Sequence, residues 1–538
     1  MGPSVGSRRR MHIWIRGLVV VVLIVLGPAL GASAHAVVEE TDPVDGARLE
    51  EAPEHVSVRF SEPVELTEGA IRIFDSSGRR VESGEARPVD SGEVVEVDSG
   101  HLPQGTYIVA WRVVSLDGHP IRGAFVFGVG EGEVAVDQGI IDEVLGSQAP
   151  ARAAGAVVRW VTYLAGLLAT GIAVFSAFVL RAFLRVPALG AAVRWAASVA
   201  ALASVSAIPI FAAEAQATWP EALASSVGLA AFLRVAAMAV LFFSARGSSP
   251  AWVAGGASLL VAAELATGHT RTTEPLLVVM AADAVHVAGA AFWLGGLVAL
   301  LVARRHLRED AERAATVVGR FSALAVRFVL ALVIAGLAMA WVQVGGLPAL
   351  TSTAYGRTLI AKLVAGAAVL GVAVYNNRVL VPRIMSGEEP DLPALERLRS
   401  TVRAEVVGLA VVIALTAVLV DLPPAAEAVG GPFSTYVEFG DGELNLVVDP
   451  NRAGTNQVHA YVLDAAGSPA DVEGAAVLEF HFPAEDIGPI VRQPMYVGTG
   501  HWIHTGPELA VAGEWHITFR LGEGFETTAA TAVVRVTD

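Results

Sequence analysis

The sequence predicts a mixed membrane protein in which an all-β domain lies at each end of an eight-helix transmembrane bundle. Long apolar runs fill the middle of the chain, strand-like segments fill both ends, and a secretory signal pattern comes first. The 538 residues include no cysteine and carry a formal net charge of −16. Disulfides and thiolate-held zinc or iron–sulfur sites are therefore excluded, and the acidic balance argues against nucleic-acid partners.

Residues 1–34 have the pattern of a signal peptide. Three arginines, Arg8 to Arg10, precede an apolar run, and the small residues Ala32-Ser33-Ala34 form a cleavage site. Cleavage after Ala34 would make His35 the first residue of the mature chain. Its α-amino group and imidazole could then close a chelate ring on a metal ion.

Residues 35–130 predict a small all-β domain, a Greek-key barrel or sandwich. Short segments such as residues 55–60 and 106–113 are rich in β-branched and aromatic residues, and Gly, Pro, Asp and Ser separate them. Residues 131–154 are typical of a linker between this domain and the apolar region.

Asp117 and His119 add a carboxylate and a second imidazole to the donors of His35. Two imidazoles, an amine and a carboxylate form a nitrogen and oxygen donor set suited to Cu(II) in tetragonal geometry. Such residues also occur without a metal role, so the residues alone leave this alternative open.

The membrane domain, residues 155–424, contains eight apolar runs that are each near the length needed to cross a bilayer. We predict helices at residues 157–180, 190–213, 224–244, 251–267, 276–303, 322–345, 358–381 and 403–422. Arginines concentrate in alternate loops, which predicts that those loops face the cytoplasm. An even number of crossings then puts both β domains on the extracytoplasmic side of a multi-pass cell-membrane protein.

Ionisable residues inside these apolar runs are candidates for function, because a membrane penalises charge. Asp283 and His286 lie one helical turn apart, and His269 precedes them in an external loop. These three residues could form an entrance site for a cation, or an Asp–His pair could simply fix helix packing. Arg234 and Glu405 are expected to form an intramembrane ion pair.

Residues 432–538 return to short strands and predict a second external β-sandwich. His501 and His504 are candidate metal ligands there. Strand alternation would put their side chains on opposite faces, so only a turn at this point would bring both to one metal ion.

Residues 35–130 resemble the copper-binding CopC family. The resemblance rests on three segments and on His35: residues 42–47 (DPVDGA), 60–64 (FSEPV) and 115–120 (SLDGHP). It implies a β-barrel that binds Cu(II) through the N-terminal His35 with its amine, Asp117 and His119. The Met-rich Cu(I) site of some relatives is not expected, since residues 35–130 contain no methionine.

Residues 155–424 resemble the inner-membrane CopD family. The matching features are His286 with residues 293–296 (WLGG), residues 356–362 (GRTLIAK), residues 376–378 (NNR), and a last helix that begins near residues 403–405 (RAE). Residues 432–538 are similar to the YtkA-like sandwich of some fused copper proteins.

The resemblance implies a fusion protein that captures copper outside the cell and passes it across the membrane, in copper import, homeostasis or resistance. Its ligands would be Cu(II), with Cu(I) left open in the membrane, and its partners the lipid bilayer and other copper-handling proteins. The chain has no Walker motif and no phosphorylated-Asp signature, so we do not expect an ATP-driven pump. We also do not expect an enzyme. Two alternatives stay open: copper sequestration or delivery without transport, and a haem-binding redox protein that uses His269 and His286.

Overall fold

A computed structural model describes most of the chain outside the N-terminal segment. The described residues are 36, 38–43, 45–116, 118–130, 136, 138–145, 149–181, 186–246, 250–268, 273, 275–308, 311–344, 346–347, 349–386, 392–425, 433–449, 451–464, 470, 472, 474–522 and 527–536. The predicted signal peptide lies outside them. These residues form a helical unit, which comprises Gln148–Ala426 with Leu116–His119, and a β unit, which comprises Ala36–Ser115, Pro120–Ser147 and Glu427–Asp538.

The N-terminal part of the β unit is a sandwich of two four-stranded sheets, ordered β1-β3-β6-β5 and β2-β8-β7-β4. Its strands are β1 (Val38–Asp42), β2 (Arg48–Leu49), β3 (His55–Phe60), β4 (Glu65–Asp75), β5 (Arg87–Val89), β6 (Val94–Asp98), β7 (Gly105–Val114) and β8 (Pro120–Val129). Alternation explains the core, because Val56, Val58 and Phe60 of β3 are buried between exposed or half-buried neighbours.

The predicted linker contains a helix, α1 (Gln138–Leu145). The guanidinium groups of Arg112 on β7 and Arg122 on β8 both donate to the carbonyl of Leu145 at its C-terminal end. Cationic groups are favourable at this end of a helix, where carbonyls have no intrahelical partner. The segment is therefore held on the outside of the sandwich by two strand arginines.

Within the described part of the helical unit, a long helix overlaps each of the eight predicted ranges, and short helices join some of them. In chain order they are α2 (Ala149–Val174, continued by a π-helical turn, Phe175–Leu180), α3 (Pro187–Ala215), the short α4 (Trp219–Ala224), α5 (Ser226–Ser244), α6 (Pro250–Glu264), α7 (Leu276–Arg308), α8 (Ala311–Val344), the short α9 (Ala349–Ser352), α10 (Ala354–Tyr375, continued by a π-helical turn, Asn376–Leu380), the short α11 (Val381–Ser386) and α12 (Leu392–Leu419).

Seven of these helices are long and apolar enough to cross a membrane, among the residues that the structure describes. The exception is α6, which has 15 residues. The length and apolar composition of these helices are those of a membrane protein, while the eighth crossing stays a prediction.

Two glycines set the closest approach between helices in the bundle. Gly295 of α7 lies directly on the backbone of α2 at Gly171, so a Cβ atom on either residue would collide with the other helix. The neighbouring Gly296 faces the ring of Phe321 on α8 at similarly short range. Small residues are what allow membrane helices to pack this closely, which explains the two glycines of the WLGG segment.

Gly295→Ala is expected to lower the free energy of unfolding by about 1–3 kcal/mol, because the added methyl group forces α2 and α7 apart. Thermal unfolding of the purified protein in detergent measures the loss. Gly366→Ala on α10 is the matched control, since nothing lies within 4 Å of its added Cβ atom. Equal losses in the two variants would refute the close contact as their cause.

The C-terminal part of the β unit is a second sandwich. Its sheets are ordered β14-β15-β11-β10-β9 and β13-β12-β16-β17. The strands are β9 (Phe433–Phe439), β10 (Gly442–Asp449), β11 (Gly454–Leu463), β12 (Ala476–Phe482), β13 (Ile487–Arg492), β14 (Met495–Gly498), β15 (His501–Leu509), β16 (Gly513–Leu521) and β17 (Thr528–Val536). Trp502, Trp515, Phe480 and Phe519 are among the largest side chains buried between the sheets.

Candidate metal centre

His119 is the one residue of the predicted N-terminal copper site that the structure describes; His35 and Asp117 lie outside the described residues. His119 follows Gly118, whose φ of 91° is one that glycine adopts without strain. The two residues belong to the turn that joins β7 to β8, where Val114 pairs with Pro120. His119 is half-buried at the end of this hairpin.

The chain next to the predicted mature N-terminus is anchored in the N-terminal sandwich. Ala36 is buried in its core together with Val56 and Phe60. Two residues later β1 begins, and Val38 pairs with Phe60 of β3. The segment that begins at Ala36 is therefore held at the edge of this domain.

A second cluster in this sandwich joins one histidine with two carboxylates. His55 Nδ1 lies 2.9 Å from Asp98 Oδ1 and 3.4 Å from Glu96 Oε1. The Arg87 guanidinium contacts both carboxylates, and its hydrogen bond lowers the pKa of Asp98. Because Arg87 already neutralises these oxygens, the cluster is better suited to hold β3, β5 and β6 together than to bind a cation.

The predicted membrane site is described at Asp283 and His286 of α7, whereas His269 lies outside the described residues. His286 Nδ1 lies 3.0 Å from the carbonyl oxygen of Leu332 on α8. A carbonyl only accepts, so Nδ1 donates and the Nε2 lone pair is left for another partner. Metal-binding histidines are commonly oriented in this way, by a hydrogen bond from the ring nitrogen that does not bind the metal.

Lys362 of α10 was not assigned to this site from the sequence, although it is the only lysine of the chain. It interacts electrostatically with both Asp283 and His286. Gly336 of α8 completes the surroundings, because a Cβ atom there would lie 2.9 Å from the His286 ring. The site thus combines the carboxylate of Asp283 and the imidazole of His286 on α7 with the amine of Lys362 on α10. The absence of a side chain at Gly336 leaves room on α8 for the imidazole ring.

The predicted ion pair between Arg234 and Glu405 is wrong. Arg234 of α5 donates from Nε and Nη2 to both carboxylate oxygens of Glu264 on α6, at 3.0 and 2.9 Å. Glu405 of α12 instead accepts hydrogen bonds from Asn376 and from Trp293. Arg234 and Glu405 are both buried. The two hydrogen-bonded contacts therefore pair polar groups that a bilayer would otherwise leave unpaired.

His501 and His504 of the C-terminal sandwich have different partners. His504 Nε2 lies 3.0 Å from Glu508 Oε2, and Arg492 contacts the other oxygen of the same carboxylate at 2.6 Å. Burial acts to raise the pKa of Glu508, but the hydrogen bonds from His504 and Arg492 leave it lower than usual. His504 is thereby engaged in an ion-paired cluster of its own.

His501 instead faces His459 of β11. His459 Nδ1 lies 3.1 Å from His501 Nε2, and the Tyr461 hydroxyl lies 3.5 Å from the same Nδ1 atom. Burial lowers the pKa of His459 to about 4 and that of His501 to about 3. No sequence pattern pairs these two histidines, because β11 and β15 are neighbours only in the folded sheet.

Comparisons with known proteins agree with the resemblance of the N-terminal and membrane regions. The CopC domain model matches residues 38–130, and the copper resistance protein D model matches residues 315–419. The copper transport protein CutJ of Bacillus subtilis (strain 168) is 27% identical over 467 residues, which cover 81% of this chain and 83% of CutJ.

Two shorter relatives match a smaller share of the chain. Protein YobA of Escherichia coli (strain K12) is 29% identical over 98 residues, 18% of this chain and 79% of YobA. The crystal structure of CopC from Methylosinus trichosporium OB3b is 31% identical and covers 18% of this chain and 93% of that protein, with a TM-score of 0.17. This one polypeptide therefore combines a CopC domain with a copper resistance protein D domain.

Proposed function

We propose that the protein binds copper outside the cell and transfers it across the membrane. The observation that carries the proposal is the presence of a CopC domain and a copper resistance protein D domain in one chain. The similarity to CutJ, a copper transport protein, extends over most of the chain and favours transfer over storage.

The first step is capture of Cu(II) by the N-terminal domain, with the His35 amine and imidazole, Asp117 and His119 as ligands. The burial of Ala36 and the position of His119 at the end of the β7–β8 hairpin support this step, because sites built on rigid elements hold their ligands in place. A nitrogen and oxygen donor set of this kind suits Cu(II).

The second step is acceptance of the ion in the membrane by Asp283 and His286, with His269 at the entrance. The contact between His286 Nδ1 and the Leu332 carbonyl supports it, because it directs the Nε2 lone pair away from α8. Before copper binds, the ammonium group of Lys362 balances the charge of Asp283. An arriving copper ion would take over this role and repel the ammonium group.

Both β domains lie on the extracytoplasmic side in this proposal. Arg304, Arg305 and Arg308 at the end of α7 then face the cytoplasm, as positively charged loops generally do. The arrangement needs eight crossings and therefore counts α6 as one. Backbone hydrogen bonds extend its helical turns from Glu264 to Ala266, which supports that count.

Copper uptake tests the proposal in cells that lack the protein and express either the wild type or a variant at equal level. His286→Ala is expected to reduce uptake at least about tenfold. Loss of a residue that merely hydrogen-bonds a metal ligand already lowers metal affinity ~10–100-fold, and His286 is proposed as a ligand itself. His306→Ala, at the other end of the same helix, is the control and should keep wild-type uptake. Unchanged uptake in His286→Ala would remove the membrane step and leave copper sequestration or delivery as the function.

A further inference from the structure

Three polar side chains of β11 point out of the C-terminal sandwich on one face. Gln457, His459 and Tyr461 are half-buried, whereas the residues between them, Val458 and Ala460, are buried in the core. His501 of β15 pairs directly with Tyr461 and diagonally with His459. Strand register therefore gathers two imidazoles and a phenol on one face.

His501 is deeply buried, at 3% exposure, although it lies on this outward face. The turn at Gly46 covers it, because a Cβ atom on Gly46 would lie 3.2 Å from His501 Nδ1. Nδ1 thus faces the N-terminal sandwich and Nε2 faces His459. An ion would reach the pair from the side of His459 and Tyr461, which are only half-buried.

Gln457 fixes the protonation of His459. The Gln457 amide nitrogen lies 3.4 Å from the Thr505 hydroxyl, and its oxygen lies 3.0 Å from His459 Nε2. An amide oxygen only accepts, so His459 Nε2 carries the proton and Nδ1 presents a lone pair toward His501. Metal-binding histidines usually donate the other ring N–H to a carbonyl or carboxylate oxygen, as His459 does to Gln457.

In the structure the two rings meet head-on and share a hydrogen bond, with their centroids 5.4 Å apart. The separation of the two nitrogens is also that of two ligands of one metal ion, which the lone pairs reach when the half-buried His459 ring turns. Two ligands at a metal–nitrogen distance of about 2.0–2.1 Å lie about 3 Å apart when they occupy neighbouring corners of a square. His459 Nδ1 and His501 Nε2 are 3.1 Å apart. Neighbouring nitrogen positions are typical of tetragonal Cu(II), whereas a linear Cu(I) site would need about 4 Å between them.

We infer that His459 and His501 form a second copper site, which binds Cu(II) through His459 Nδ1 and His501 Nε2. The proton that bridges the two nitrogens without metal moves to His501 Nδ1, so the ring stays neutral when the ion binds. The Tyr461 hydroxyl, whose pKa is raised by burial and by Asp45, flanks the site as a neutral donor or weak ligand. This site is separate from the N-terminal one and does not depend on transfer across the membrane.

Titration of the purified full-length protein with Cu(II) sulfate tests the inference in a His119→Ala background, which weakens the N-terminal site. We expect a Cu(II) ion with two coupled imidazole nitrogens to remain in the electron paramagnetic resonance spectrum. Adding His459→Asn should weaken this binding more than about 100-fold and reduce the coupled nitrogens to one. Adding His516→Asn, a half-exposed histidine of the same sandwich, should change neither result.

Gln457→Ala provides a second variant that keeps both imidazoles. It should weaken Cu(II) binding by about 10–100-fold, the usual effect of removing the hydrogen-bond partner of a metal-binding histidine. Circular dichroism should report an intact fold. Binding in His119→Ala that His459→Asn leaves unchanged, or that His516→Asn lowers equally, would overturn the inference. If the His119→Ala variant binds as much copper as the wild type, the proposed N-terminal site fails while the His459–His501 site stands.

Discussion

An alanine inserted between Ala34 and His35 is expected to weaken Cu(II) binding at the N-terminal site by at least about 100-fold. The insertion moves the free amine to a new residue, so the amine and the His35 imidazole no longer close one chelate ring. The expected loss exceeds the ~10–100-fold effect of an outer-shell partner because a ligand is removed from the ion itself. Competition titration against a Cu(II) chelator measures the affinity.

Mass spectrometry of the mature chain is needed beside this titration. It should show His35 as the first residue of the wild type and the added alanine as the first residue of the variant. His101→Ala, an exposed histidine of the same domain, is the control and should keep wild-type affinity. Equal affinity with and without the insertion would contradict a role for the terminal amine.

Glu264→Ala should destabilise the helical unit by about 3–5 kcal/mol, because it leaves the Arg234 guanidinium buried without its partner. The side chains of Arg234 and Glu264 are 11% and 13% exposed, and two parallel hydrogen bonds join them. Unfolding by heat and by denaturant in the same detergent measures the change.

The double variant Arg234→Met/Glu264→Leu separates the charge from the packing. Replacing both partners of a buried pair with apolar side chains is often neutral or stabilising. We therefore expect the double variant to recover most of the stability lost in Glu264→Ala. A double variant as unstable as the single one would mean that side-chain volume, rather than unpaired charge, causes the loss.

The positions of the helices could be predicted because a membrane helix is encoded locally, as an apolar run of sufficient length. The partner of Arg234 could not, since it depends on which helices are neighbours. Arg234 and Glu264 lie on consecutive helices, α5 and α6, whereas Glu405 lies on α12 beside Asn376. Two isolated charges in separate apolar runs favour a pair, but the sequence does not identify their neighbours.

The histidines of the C-terminal sandwich show the same limit. Strand alternation alone indicates that His501 and His504 face opposite sides, and they have different partners in the structure. The partner of His501 depends on the sheet order, in which β11 lies beside β15 rather than beside β12. His459 is 42 residues away in the sequence, so no local pattern joins the two imidazoles.

The shortness of α6 has a consequence for the lipid around the protein. Its 15 residues rise by about 22 Å, which is less than the ~30 Å of a typical hydrocarbon core. In the eight-crossing arrangement that we propose, the bilayer must thin beside this helix, and the exposed Trp252 near its start is suited to anchor the headgroup boundary there. The acyl chain length of the surrounding lipid should then affect the stability of the helical bundle, because it sets the mismatch between α6 and the bilayer.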